Sequence, residues 1–262
     1  RDFGDLMHVT VLMAVYNDAG TVEAAVESIR TQTYTNWDLL MVDDGSTDDT
    51  PAILQRLAQQ DERITVLRNE TNRGLPAALN IGWRQARGEL IARMDADDLC
   101  LPERLQRQVE FMTAHPEVAV LGTGVEYMDE DGRTLGRGVR PEQHEELVQK
   151  ILRESPFYHP SVMVRPTFYE ALGGYDERIR RAEDRDLWLR GRRRFRYHNL
   201  REPLIRYRIS GKPSWRDIYD GTYALLLAVR REQMPLVCYW YPLRQLLGGV
   251  SIWTGLRRKR LF

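Results

Sequence analysis

The sequence has 262 residues, of which 42% are hydrophobic, and it carries 38 basic and 38 acidic side chains. A chain of this size can bury a full core, and its balanced charge gives no reason to expect nucleic acid as a partner. Two cysteines are too few for a disulfide framework and fit a reducing compartment. The chain opens without the apolar stretch of a signal peptide, so the expected location is the cytoplasm.

Strands and helices alternate along the first hundred residues. The predicted strands are 8–17, 37–42, 63–69 and 89–94, and the predicted helices between them are 21–32, 51–60 and 74–88. Runs of β-branched and apolar residues indicate the strands, and apolar residues at helical spacing indicate the helices. This alternation predicts an α/β fold, in which helices cover both faces of a mainly parallel sheet.

The alternation is looser after residue 100. Helices are predicted at 101–115, 141–154 and 182–194, and strands within 117–136 and at 159–166 and 203–210. The basic run "RGRRRFRYHNLR" at 190–201 is interpreted as a solvated helix end, where positive charge is favourable. The less favoured alternative is that it attracts an anionic lipid head group.

The C-terminal segment differs in composition from the rest of the chain. Residues 233–256 contain one charge, Arg244, among many Tyr, Trp and Leu residues, and the basic cluster "RRKR" follows at 257–260. Pro235, Pro242 and the central arginine argue against a membrane-spanning helix. Two interpretations stay open, namely a segment lying in the membrane interface and a helical hairpin packed on the domain.

Polar clusters follow three of the predicted strands: "YND" at 16–18, "DDGSTDDT" at 43–50 and "DADD" at 95–98. Ligands of open α/β sheets bind outside the carboxyl ends of the strands. Asp95 and Asp97 flank a single alanine, and both can reach one Mg²⁺ or Mn²⁺ that also takes diphosphate oxygens. The alternative is that these acids, Asp98 in particular, only cap the next helix.

The second cluster is open to two interpretations as well. A carboxylate of Asp43 or Asp44 can accept a hydrogen bond from a nucleobase N–H, and Gly45 permits a sharp turn. Alternatively, the cluster forms an Asx-type turn followed by helix caps. Tyr16 at the end of the first strand can stack on a base or serve as an ordinary sheet residue.

A third acidic group, Glu183, Asp184 and Asp186, falls in the first turn of a predicted helix, where negative charge is favourable in any case. Asp186 and Arg190 are spaced to form an ion pair on the helix surface. His159 is a candidate for lining a site, although an isolated histidine is usually structural.

Six segments in this order resemble the inverting family 2 glycosyltransferases, which have the GT-A fold. The matching stretches lie within residues 9–209 and include "VTVLMAVYN", "SIRTQTYTNWDLLMVDDGSTDDT", "NRGLPAALNIGWRQARGELIARMDADD", "HPSVMVR", "GGYDERIRRAEDRDLWLR" and "LIRYRIS". Each stretch is weakly specific alone, and the six together in order are strongly specific.

The resemblance implies roles for individual residues. Tyr16 and Asp44 match the pair that stacks on uracil and bonds its N3–H, with Asp43 supporting the turn. Asp95 and Asp97 match the Asp-x-Asp motif of a Mg²⁺ or Mn²⁺ site, where Asp97 ligates the metal and Asp95 lies near the ribose. Asp184 matches the base that deprotonates the acceptor hydroxyl.

The chain departs from the family pattern at two positions. Ala14 stands where proline is common. Ser210 stands where a histidine frequently helps to hold the metal, so the resemblance leaves the completeness of the metal shell open.

The resemblance also implies a domain division and a set of partners. Residues 1–210 are expected to form the GT-A domain, with a nucleotide-sugar-binding half (1–100) and an acceptor half (101–210), and residues 211–262 a helical, amphipathic extension. The expected partners are a nucleotide-diphosphate sugar, with UDP as the default, and a glycan or lipid-linked acceptor, with peripheral contact at the inner face of the plasma membrane through the tail. The alternative function is a weakened transferase that serves as a scaffold subunit of a polysaccharide assembly complex.

Overall fold

The computed structural model describes residues 6–209 and 215–253, and within them nine strands form one mixed sheet. The strands are β1 (Val9–Val15), β2 (Trp37–Asp43), β3 (Ile64–Arg68), β4 (Leu90–Asp95), β5 (Leu99–Cys100), β6 (Val118–Met128), β7 (Thr134–Gly138), β8 (Met163–Val164) and β9 (Arg196–Arg208). Their order is β3-β2-β1-β4-β8-β6-β9-β5, with β7 paired to β6.

Nine α-helices are seen in the described residues: α1 (Val22–Arg30), α2 (Thr50–Gln60), α3 (Leu75–Gln85), α4 (Arg104–Ala114), α5 (His144–Lys150), α6 (Pro166–Leu172), α7 (Glu183–Gly191), α8 (Trp215–Arg231) and α9 (Trp240–Trp253). Short 3₁₀ helices occupy His159–Ser161 and Leu236–Tyr239.

The parallel half of the sheet confirms the α/β prediction. β1 pairs in parallel with β2 on one side and with β4 on the other, and β3 extends the parallel set beyond β2. Alternate residues of β1 point into two separate cores: Val9, Val11 and Met13 into one, and Leu12 into the other. Helices therefore cover both faces, and the carboxyl ends of β1, β2 and β4 meet at one edge.

The later half differs from the sequence prediction in several elements. β5 and α6 were not predicted, α5 is shorter than predicted, and α4 begins at Arg104, after a turn. The interpretation of 190–201 as a helix end is wrong beyond Phe195, because β9 begins at Arg196 and pairs along β6. The inward residues of this strand include Asn199, whose buried amide donates to the carbonyls of Pro141 and Pro156, so the stretch lacks an apolar strand pattern.

The C-terminal helices pack on the domain. Buried residues of α8, among them Leu225 and Val229, join the core cluster that also contains Leu187 and Trp188 of α7. α9 packs in turn against α8. Within the described residues, no helix is both long and apolar enough to span a bilayer. The structure thus shows helices packed on the domain over 215–253, and the cluster at 257–260 lies outside the described residues.

Candidate active site

A cavity of about 340 Å³ opens at the carboxyl ends of β1, β2 and β4, and we name it the strand-end cavity. Four of the predicted site residues line it: Tyr16, Asp44, Asp95 and Asp97. Asp18, Asn72 and Leu75 line it as well. Parallel strands bring their carboxyl ends to one edge, which is why residues separated by 80 positions meet here.

The turn after β1 is fastened to the turn after β2. Asn17 adopts a left-handed conformation (φ 55°), and its side-chain oxygen accepts the backbone N–H of Thr47 at 2.9 Å. The backbone N–H of Asn17 donates to the hydroxyl of Ser46 at 3.0 Å. These bonds hold Tyr16 at the cavity mouth, where 45% of its surface stays exposed and available to a flat ligand.

Asp44 is buried and firmly oriented. Its carboxylate accepts hydrogen bonds from the Asn69 amide (2.7 Å) and from the backbone N–H groups of Arg73 (3.0 Å) and Gly74 (2.7 Å). A carboxylate offers about four acceptor sites, so three donors leave it room for one more. Asp44 can therefore hold a ligand N–H in a fixed direction.

Asp43 does not line the strand-end cavity. Its Oδ1 accepts the backbone N–H of Ser46 at 2.9 Å, and its Oδ2 lies 3.2 Å from Nε of Arg68. Gly45 lies between Asp43 and Ser46 and has a φ of +75°. A Cβ at this position would come within 2.6 Å of the Thr71 carbonyl carbon. Asp43 thus braces a turn that only glycine can make.

The acidic group after β4 is tightly clustered. Carboxylate oxygens of Asp95, Asp97 and Asp98 all lie within 4.8 Å of one another. Burial, together with the charges of Asp95 and Asp18, raises the pKa of Asp97 to about 6. Burial and the charges of Asp95 and Asp97 also raise the pKa of Asp98.

Asp98 is not a helix cap, contrary to the alternative considered from the sequence. Strand β5 separates it from α4, and its Oδ1 accepts the backbone N–H of Arg208 on β9 at 2.7 Å. Among the described residues, no hydrogen-bond donor reaches the buried Oδ2 of Asp98. The cluster therefore contains one buried carboxylate oxygen, Oδ2 of Asp98, that has no hydrogen-bond donor among the described residues.

Arg93 forms an ion pair with one member of this cluster, Asp95. Its side chain is 2% exposed and holds both carboxylate oxygens of Asp95, with 2.7 Å between Nη1 and Oδ2. Burial lowers the pKa of this guanidinium, but the nearby charges of Asp95 and Tyr175 outweigh burial and leave the pKa raised. Asp95 is thereby oriented, while Asp97 and Asp98 lack an equivalent partner among the residues described.

The donor set fits a hard divalent cation. Mg²⁺ and Mn²⁺ prefer carboxylate oxygens and bind through one or two of them plus ligand phosphates. The short distances within the cluster, the orphaned oxygen of Asp98 and the raised pKa of Asp97 all indicate a place where added positive charge would be stabilised.

A second cavity, of about 550 Å³, adjoins the first, and we name it the α7 cavity. Asp95 lines both cavities. Asp184, in the first turn of α7, lines the α7 cavity and accepts a hydrogen bond from the Ser155 hydroxyl at 3.0 Å. The predicted base thus borders a second cavity, which shares the lining residues Asp95 and Leu75 with the strand-end cavity.

Glu183 lines the same cavity beside Asp184. Burial, together with the charge of Asp184, raises the pKa of Glu183 to about 8. At neutral pH Glu183 therefore retains its proton.

His159 lies at the floor of this cavity rather than in an ordinary core. Its Nε2 shares a hydrogen bond of 2.8 Å with the Tyr175 hydroxyl, and its Nδ1 lies 3.7 Å from the Glu183 carboxylate. Burial, reinforced by the charge of Arg93, lowers the pKa of His159 well below its usual range. His159 is therefore neutral and fixed in orientation.

Asp186 is the acid of this group that does not reach the cavity. Its pair with Arg190 is present at 2.8 Å, but the carboxylate is fully buried and also bonds Arg231 of α8 at 2.8 Å. The prediction of a surface pair is wrong because α8 covers this side of α7. Asp186 joins the two helices.

Several lining residues were not found from the sequence. They are Asp18 and Arg93 near the acidic cluster, and Tyr127, Arg140, Ser155, Tyr158 and Tyr207 in the α7 cavity. Residues on the same face of a strand are two positions apart, so the spacing of Arg93 and Asp95 was the available clue. Ser210, the expected departure in the metal shell, lies outside the described residues.

Comparison with known proteins identifies relatives along almost the whole chain. The model of Glycosyl transferase family 2 matches residues 10–172. A Bacillus subtilis (strain 168) protein, "Putative glycosyltransferase EpsE", is 38% identical over 264 residues, which cover 97% of this chain and 94% of that protein. The amylovoran biosynthesis glycosyltransferase AmsE of Erwinia amylovora is 33% identical over 184 residues, covering 69% of this chain and 68% of that protein.

Solved structures share the fold at low sequence identity. S. aureus TarS (residues 1–349) in complex with UDP-GlcNAc superimposes with a TM-score of 0.70 at 19% identity, covering 97% of this chain and 74% of that one. The mannosyltransferase PcManGT from Pyrobaculum calidifontis, in complex with GDP-Man and Mn²⁺, gives a TM-score of 0.63 at 21% identity, covering 94% and 69%. The α/β fold is therefore of the GT-A type, and the chain belongs to glycosyl transferase family 2.

Proposed function

We propose that the protein transfers a sugar, with inversion at the anomeric carbon, from a UDP-sugar to a hydroxyl of a glycan or lipid-linked acceptor in cell-surface polysaccharide or glycolipid synthesis. The observation that carries this proposal is the pair of adjoining cavities that share Asp95. Tyr16, Asp44 and Asp97 line the strand-end cavity, and Asp184 lines the α7 cavity. Residues 1–100 supply the donor half, residues 101–210 the acceptor half, and 211–262 the extension.

On the donor side, Tyr16 stacks on the uracil ring and Asp44 accepts its N3–H. The exposed ring of Tyr16 and the remaining acceptor site of Asp44 support this assignment. The complexes of TarS with UDP and with UDP-GlcNAc favour uridine. PcManGT binds GDP-Man, so a donor screen must also include guanosine sugars.

The leaving diphosphate requires positive charge. Asp97 and Asp95 would hold Mg²⁺ or Mn²⁺, which supplies Lewis-acid stabilisation of the departing nucleoside diphosphate when bound. The carboxylate cluster supports this assignment through its donor set, and the complex of PcManGT with Mn²⁺ is consistent with it. Arg93 orients Asp95 and keeps part of the cluster neutral in the absence of ligand.

On the acceptor side, Asp184 takes the proton of the attacking hydroxyl. Ser155 fixes one oxygen of Asp184, and the raised pKa of the neighbouring Glu183 keeps that second carboxyl protonated at neutral pH. Inverting hydrolases use one carboxyl group as the acid and another as the base, whereas here Asp184 would serve as the base and a bound metal would take the place of the acid. The acceptor oxygen then attacks from the face opposite the diphosphate.

A donor screen that detects released nucleoside diphosphate tests this function. The protein is incubated with Mn²⁺ and UDP-, GDP- or dTDP-sugars, with and without a membrane lipid extract as the acceptor source. Asp97→Ala is expected to abolish acceptor-dependent release, whereas the matched control Asp131→Ala, at an exposed acid in the turn before β7, keeps it. Unchanged release by Asp97→Ala would contradict the proposal, and UDP binding without release from any donor would favour the scaffold alternative.

A further inference from the structure

A third cavity lies between the loop after α5, helix α7 and helix α9. It has a volume of about 390 Å³ and is lined by Leu152, Arg153, Arg185, Tyr241 and Arg244. We name it the arginine cavity. Nothing in the proposed donor or acceptor chemistry uses it.

The arginine cavity is strongly positive. Three of its five lining residues are arginines, and its lining includes no acid in the part of the chain described. The carboxylate next along the chain, Glu154, is already bonded to Arg140 at 2.6 Å. The guanidinium of Arg185 is held in place by bonds to the carbonyls of Ile151 (3.3 Å) and Leu152 (3.1 Å). Arginine is the side chain best shaped to hold phosphate oxygens in pairs.

An exposed apolar stripe runs along α9 beside this cavity. Trp240 is 55% exposed, Leu243 47% and Leu247 54%. At 100° per residue these three positions share one side of the helix, and Arg244 falls directly next to them. Helix α9 therefore presents apolar side chains and a cationic pocket on neighbouring surfaces, the arrangement of helices that lie in a membrane interface.

Residues close to one another in sequence line the arginine cavity and the α7 cavity. Arg185 follows Asp184 in α7, and Arg153 precedes by two residues Ser155, whose hydroxyl bonds Asp184. A lipid held in the arginine cavity would therefore lie near the first turn of α7, which carries Asp184.

We propose that the arginine cavity binds the phosphate of an anionic membrane lipid while the apolar stripe of α9 lies in the membrane interface. The occupant is a lipid because the cationic pocket and the apolar stripe are neighbours on one helix, and a free phosphate would use only the pocket. The basic cluster at 257–260, next along the sequence, adds attraction to an anionic surface. That this docking presents a lipid-linked acceptor to Asp184 rests on the proposed function, whereas the docking itself does not.

Vesicle flotation of the full chain tests the proposal. Vesicles of phosphatidylcholine alone are compared with vesicles of equal parts phosphatidylcholine and phosphatidylglycerol. The protein is expected to float with the anionic vesicles and to be released by high salt. Because each arginine near an anionic surface strengthens binding by roughly fivefold, removing two should weaken partitioning by roughly thirtyfold.

Matched variants separate the cavity from general charge. Arg153→Gln with Arg244→Gln removes two exposed arginines of the cavity, and Arg107→Gln with Arg133→Gln removes two exposed arginines elsewhere. Only the first pair is expected to lose anionic-vesicle binding. For the apolar stripe, Trp240→Ser with Leu247→Ser is compared with Leu135→Ser and Val139→Ser, which are exposed apolar residues outside α9.

The proposal is overturned if the two double arginine variants bind anionic vesicles equally, or if the wild-type protein binds no vesicles. Inorganic phosphate alone serves as a further probe, and a thermal shift with phosphate but no vesicle binding would also overturn it. UDP binding by calorimetry is measured on the same preparations. Vesicle binding without UDP binding would uphold the docking while contradicting the proposed function, so the two failures are distinguishable.

Discussion

The ion pair between Arg93 and Asp95 gives the sharpest prediction about the acidic cluster. Arg93 is 2% exposed and bonds both oxygens of an Asp95 side chain that is 30% exposed. Removing one partner of a buried pair costs 3–5 kcal/mol, and the partial exposure of Asp95 lowers our expectation to about 2–3 kcal/mol. Arg93→Met should reduce the free energy of unfolding in urea by that amount.

A double-mutant cycle isolates the pair from the loss of packing. Asp95→Asn and the double variant Arg93→Met/Asp95→Asn are measured with the single variant, and a coupling of about 1.5 kcal/mol or more is expected. Arg165→Met combined with Asp95→Asn is the control, because Arg165 bonds the carbonyls of Val118 and Met112 and should be additive. A cycle for Arg93 that is additive within about 0.5 kcal/mol would refute the assigned pair.

Three further predictions concern stacking of the nucleobase on Tyr16, metal binding by Asp97, and the buried carboxyl group of Glu183. Tyr16→Ala should weaken UDP binding by roughly tenfold or more, because base stacking is worth about 1–3 kcal/mol, whereas Tyr219→Ala should not. Mn²⁺ affinity should fall as pH drops below the pKa of Asp97, about 6, because a protonated carboxyl group is a poor ligand. Calorimetry in the presence of UDP measures this affinity, and the absence of such a fall would show that Asp97 is not a ligand. Glu183 has a raised pKa of about 8, so its contribution to the free energy of unfolding is complete below about pH 4.5 and is lost as pH rises through 8. Glu183→Gln should flatten this decline of stability with pH, measured by urea unfolding. An unchanged dependence on pH would contradict the assignment.

The strand-end cavity could be predicted because it depends on topology. Parallel strands place their carboxyl ends at one edge of the sheet. Independent of the loop conformations, this brings together four residues: Tyr16, Asp44, Asp95 and Asp97. The position of Asp184 relative to them could not be derived from spacing, and only the family resemblance suggested its role.

The features that were missed depend on contacts between distant segments. Asp98 resembles a helix cap in sequence, but the two-residue strand β5 turns it toward Arg208 on β9, 110 positions away. Asp186 resembles half of a surface pair, but α8 covers it and adds Arg231. A local pattern carries no information on which later element will pack against it.

The variant Asp184→Asn separates donor binding from sugar transfer. UDP affinity with Mn²⁺ and acceptor-dependent release of UDP are measured on the same preparation, with Asp131→Asn as the control. Asp184→Asn is expected to bind UDP as the wild type does and to lose transfer by at least roughly a hundredfold, the usual contribution of a general base. Transfer at the wild-type rate by folded Asp184→Asn would contradict the role of Asp184 as the base.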